Sequence, residues 1–167
     1  MSSRRLAYMA ILTAQSLALY VLESYVSLPL MVPGAKLGLA NIITLVALYV
    51  FPRWQDVFII IALRTFLASF FGGGPGMYVY SAVGAFVSFA VMLTLKKSRA
   101  FSPVGVSAAG GFFHNAAQLC LAVLLAETVA LWQYLPVLGC VGIFAGIIMG
   151  FLASKAIRLI PLNAKKF

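Results

Sequence analysis

Six side chains able to hold a ligand stand inside otherwise apolar stretches of this chain: Lys36, Asn41, Arg64, His114, Asn115 and Gln118. Lys36 and Arg64 would attract an anionic group. The amides of Asn41, Asn115 and Gln118 would fix orientation by hydrogen bonds, and His114 would donate or accept. His114 and Gln118 are one helical turn apart and share a face, with Asn115 close to Gln118. An arginine in the middle of an apolar helix costs about 2.5 to 3.5 kcal/mol on insertion scales, so Arg64 must face a partner or a cavity. Two roles are open to it. It either locks the interior by pairing with Glu23 or the side-chain carbonyls of Asn41, Asn115 and Gln118, or it helps form a polar pocket. So many donors at one depth exceed what a single lock requires, which favours the pocket.

The elements that carry these groups are set by charge and hydropathy. Hydrophobic residues make up 63% of the chain and charged ones 9%, with a mean hydropathy of +1.07. That leaves too little polar surface for a water-soluble globule. Runs of about twenty apolar residues predict an all-α, six-helix transmembrane bundle forming one domain over 1–167, with helices over 6–26, 37–51, 54–71, 77–95, 104–126 and 132–160. The second run is short, and a re-entrant segment is its alternative. The basic residues fall on alternate connections: Arg4 and Arg5, then Arg53, then Lys96, Lys97 and Arg99, then Lys155, Arg158, Lys165 and Lys166. Because Lys and Arg collect on the cytoplasmic side, both termini are expected in the cytoplasm, with Lys36 opposite and Arg64 within a span. The six polar positions then share the outer half of the bilayer.

The net charge of +9 is explained by this topology and by attraction to anionic lipid headgroups. No basic face interleaved with aromatics suggests nucleic acid. Arg4-Arg5 before an apolar run looks superficially like an export signal, but no convincing cleavage site follows, so it reads as an uncleaved first helix. Cys120 and Cys140 lack metal-ligand spacing and are expected as small core residues. Gly72 to Gly76 lacks the Lys-Ser/Thr ending of a phosphate loop and reads as a flexible turn. The acidic residues, Glu23, Asp56 and Glu127, are too scattered to hold Mg²⁺ on a diphosphate. One histidine excludes a bis-histidine haem. No enzyme activity and no cofactor are expected.

Small residues form two stripes. Ala10, Ala14 and Ala18 recur every fourth residue in the first span, and Gly142, Gly146 and Gly150 do so in the last. Both make smooth faces that admit another helix. Contact within the bundle is the simpler reading of the glycines; for the alanines the residues alone do not decide.

Three segments together carry a resemblance: Pro33-Gly34-Ala35-Lys36-Leu37-Gly38-Leu39-Ala40-Asn41, Leu63-Arg64 with Phe71-Gly72-Gly73, and Phe113-His114-Asn115-Ala116-Ala117-Gln118-Leu119. In these the chain resembles the Gx transporter family, whose members often carry the name heptaprenyl diphosphate synthase component I. That family in turn resembles the S components of energy-coupling factor (ECF) transporters. The resemblance implies a bacterial plasma-membrane protein that captures a small vitamin-like or prenyl- or quinone-precursor solute from outside. It also implies docking on a transmembrane coupling protein driven by two ATPase subunits, and turns the Ala10, Ala14 and Ala18 stripe toward that partner. Aromatic residues around the pocket would cover a ring or an isoprenoid. The competing reading is a non-transporting membrane partner of a polyprenyl or quinone pathway, or of a membrane redox system.

Overall fold

The shortest helix lies at the centre. In the computed structural model, which describes residues 3–25, 38–71 and 74–160, six α-helices follow one another: α1 (Ser3–Tyr25), α2 (Leu39–Val50), α3 (Trp54–Phe71), α4 (Gly74–Ser98), α5 (Pro103–Ala126) and α6 (Leu135–Leu159). A 3₁₀ segment, Val129–Tyr134, leads into α6. Two-thirds of α2 is buried, including Ile43, Leu45, Val46, Ala47 and Leu48. Every other helix packs against it. The remaining five are long and apolar enough to cross a membrane.

Polarity is inverted relative to a water-soluble protein. Large apolar side chains point outward, among them Phe70, Phe144 and Leu124, while Arg5, Glu23, Asp56, Arg64, His114 and Asn115 are buried. On α1 the buried face reads Arg5, Met9, Thr13, Ser16, Tyr20, Glu23, a helical period made mostly of polar groups. Lipid accepts the apolar side and the interior must satisfy the polar one. The chain is therefore a polytopic membrane bundle.

One end of the bundle gathers the basic groups. Arg5 of α1 holds Asp56, in the first turn of α3, by a two-toothed ion pair in which Nε donates to Oδ2 at 2.9 Å and Nη2 to Oδ1. Lys96, near the end of α4, donates to the Leu48 carbonyl in the last turn of α2 and lies 5.2 Å from the centre of the Tyr49 ring. A lysine there neutralises the carbonyl-rich helix end. Between α4 and α5, Arg99 takes a left-handed conformation (φ 57°), and Ser102 caps α5 by accepting from the Gly105 N–H at 3.2 Å.

The glycine stripe packs inside the bundle. A Cβ on Gly142 would lie 2.5 Å from the Gly111 carbonyl oxygen, and one on Gly146 would lie 2.5 Å from that of Ser107. Helices α5 and α6 thus meet backbone to backbone. The alanine stripe behaves differently: Ala10, Ala14 and Ala18 are all exposed.

Two expectations are corrected. Cys120 and Cys140 are exposed on the bundle's outer surface rather than placed in its core; an apolar thiol suits a lipid-facing position as well as a packed one. Residues 74–76, expected in a flexible turn, form the start of α4, while Gly72 and Gly73 lie outside the described residues. Trp132 sits in the 3₁₀ segment, which runs into α6, with Pro136 in its first turn, to make one apolar span, Val129–Leu159.

Candidate functional site

A short central helix leaves space at its far end. Twelve residues rise about 18 Å, against a hydrocarbon core of roughly 30 Å, so α2 stops well short of the face opposite the basic groups. Its first residues therefore open at mid-depth. Gly38, in the left-handed conformation (φ 74°), turns the chain into the helix there, and Asn41 follows in the first turn. Counted along their own helices from the basic end, Arg64, Ser88 and His114 also lie about 15 to 16 Å in. The polar positions form one layer.

Between the start of α2 and the block α4–α6 lies a narrow cavity with about 20 Å³ of space for the centre of a water molecule. That admits about one water. Its polar lining comes from Asn41, Ser88, Ser107, His114 and Asn115. Positions 107, 110, 111, 114 and 115 of α5 all line it, one helical face spaced i, i+3, i+4, i+7, i+8. The apolar wall is Met92, Ala145 and Met149 with glycines, and no Phe, Tyr or Trp among the described residues contributes, so the expected aromatic cover is not found there.

The polar groups of the lining differ in how they are held. Asn115 Nδ2 donates to the Leu138 carbonyl of α6 at 2.9 Å, which leaves its amide oxygen available. Gly84 creates a notch in α4 for the α5 side chains: a Cβ there would lie 2.9 Å from His114 Cε1 and 2.9 Å from Gln118 Cγ. Gln118 itself donates to the Tyr80 carbonyl at 3.3 Å and stands outside the lining. Ser88 is 1% exposed, and its hydroxyl has no hydrogen-bond partner among the described residues. The contrast with Thr13 and Thr65 is informative, since their hydroxyls bond back to Met9 and Ile61 carbonyls at 2.8 and 2.9 Å.

Arg64 lies beside this cavity rather than on it. It is 3% exposed on α3, and the groups acting on it electrostatically are Glu23 and Tyr20 of α1. Glu23 accepts a hydrogen bond from the Gly38 N–H, and Gly38 lines the cavity. Gly38 is thus the junction between the arginine layer and the chamber. Of the six positions singled out in the sequence, the cavity gathers Asn41, His114 and Asn115; Arg64 and Gln118 flank it, and Lys36 lies outside the described residues. Ser88 and Ser107 escaped sequence reasoning. Ser107 had a signal, being seven residues before His114 on the same face, whereas Ser88 had none within its apolar helix. No cluster of three or more His, Cys, Asp or Glu able to hold a metal occurs among the described residues.

The fold and the buried polar layer define a multi-pass membrane protein with a recessed, hydrogen-bonding chamber at the end of a short central helix. A family model described as heptaprenyl diphosphate synthase component I matches residues 12–156, and the chain belongs to that family. No curated protein and no solved structure matches it.

Proposed function

We propose that this protein is the solute-binding membrane subunit of an importer of the energy-coupling-factor type, taking a small vitamin-like or prenyl- or quinone-precursor molecule from outside the bacterial plasma membrane. The observation that carries this reading is the neutral polar chamber lined by Asn41, Ser88, Ser107, His114 and Asn115, recessed where α2 ends. Burying this many hydrogen-bonding groups around a Ser88 hydroxyl without a partner costs stability in a purely structural bundle. A ligand that bonds to them recovers that cost. With room for about one water, the chamber would take a larger guest only by parting the first turn of α2 from the α4–α6 block.

The exposed Ala10, Ala14 and Ala18 face supports docking of α1 on a transmembrane coupling protein. Two ATPase subunits would supply energy, and the basic face would be cytoplasmic, with both termini there. The chain itself would catalyse nothing. Native purification tests the reading: a coupling protein and ATPases should co-isolate with the tagged chain. The family's description favours a second reading, in which the protein is a membrane partner of a prenyl-diphosphate enzyme. Co-isolation of a prenyltransferase or a redox enzyme without ATPases would replace the first reading with that one.

A further inference from the structure

Two arginines of this bundle are buried, and they are used differently. Arg5 spends Nε and Nη2 on the two carboxylate oxygens of Asp56, the parallel pairing that a guanidinium edge makes with a planar oxyanion. On Arg64 the same two nitrogens, Nε and Nη2, are buried with no hydrogen-bond partner among the described residues. A residue serving only as a lock would use that edge, because a buried charged donor left unmade costs more than a neutral one. Glu23, the carboxylate acting on Arg64, also receives the Gly38 N–H at the start of α2. Its charge balances the guanidinium, while Nε and Nη2, though covered, stay without a hydrogen-bond partner among the described residues. Gly38 then continues into the chamber.

We propose that the Nε/Nη2 edge of Arg64 is the binding fork for an oxyanion, a carboxylate or a phosphate, whose neutral hydrogen-bonding remainder extends past Gly38 into the chamber of Asn41, Ser88 and Asn115. This rests on the solute-binding reading and names the ligand class. Glu23 is the internal counter-ion with which the ligand's anion competes. Binding therefore loosens the hold of Glu23 on Arg64, on the one helix that carries the exposed alanine face.

The test uses the full chain in detergent and follows its thermal unfolding midpoint against sodium benzoate, inorganic phosphate and pyrophosphate, with sodium chloride at matched ionic strength as control. At least one oxyanion should raise the midpoint over chloride. Benzoate alone identifies a carboxylate fork, and phosphate or pyrophosphate a phosphate fork. Arg64→Lys keeps the charge and loses the parallel pair, so the half-saturating concentration should rise by about tenfold. Glu23→Gln keeps an acceptor for the Gly38 N–H and removes the competing charge, so that concentration should fall. No oxyanion response in either wild type or Glu23→Gln, or an equal response in Arg64→Lys, overturns the assignment. If the fork fails while coupling protein and ATPases still co-isolate, only this inference falls; if the fork responds and they do not, only the importer reading does.

Discussion

Replacing Gly142 by alanine adds one methyl group at the close crossing of α5 and α6. Its Cβ would stand 2.5 Å from the Gly111 carbonyl oxygen, 2.8 Å from that carbonyl's carbon and 2.9 Å from Asn115 Nδ2. Two of the three are backbone atoms, which no rotamer change can move. Ordinary contact begins near 3.4 Å, so α5 and α6 must separate by up to about 1 Å. Overpacking of this kind costs about 1 to 3 kcal/mol, and the gain of roughly 1 kcal/mol in helix propensity offsets only part of it. The separation also strains the Asn115 bond to the Leu138 carbonyl, so the chamber deforms with the packing. Gly76 supplies the control, for a Cβ there meets nothing within 4 Å among the described residues. Gly76→Ala should be neutral or stabilising by up to about 1 kcal/mol. Reversible unfolding of both variants in mixed micelles measures the difference. Equal stabilities, or a larger loss in Gly76→Ala, would refute backbone contact between α5 and α6.

Asp56→Asn leaves the Arg5 guanidinium buried without its counter-charge and should cost about 3 to 5 kcal/mol in the same unfolding assay, whereas the double replacement Arg5→Met with Asp56→Leu should come back close to wild type. Ala14→Leu places a bulky side chain on the exposed alanine face; solute retention should persist while co-isolation of the coupling protein and uptake are lost. Normal uptake in that variant would remove α1 as the docking surface. Cys120→Ala and Cys140→Ala, at exposed positions, should each change stability by less than about 0.5 kcal/mol.

The helices were legible because lipid demands long apolar runs, and no competing pattern produces five of them beside one shorter one. Their ends were less so: Trp132 is as apolar as its neighbours, and only the backbone shows that it belongs to a 3₁₀ turn. The same uniformity misplaced Cys120 and Cys140, since hydropathy does not distinguish a lipid-facing position from a packed one. His114 and Asn115 stood out as polar groups in an apolar helix. Ser88 did not, because serine is common in membrane helices and its value comes from lacking a backbone bond. The pair of Arg5 with Asp56, 51 residues apart, leaves no local trace. For Arg64, burial followed from cost, but its neighbours depended on how α1 and α3 pack.

Native mass spectrometry of the gently extracted protein tests the capture of a solute in the recessed chamber most directly. Wild type should carry a small molecule at defined mass, and Asn41→Leu, which removes an amide from the lining while leaving the bundle folded, should lose it. A wild-type spectrum showing only protein and lipid, or the same adduct at the same occupancy in Asn41→Leu, would contradict the account.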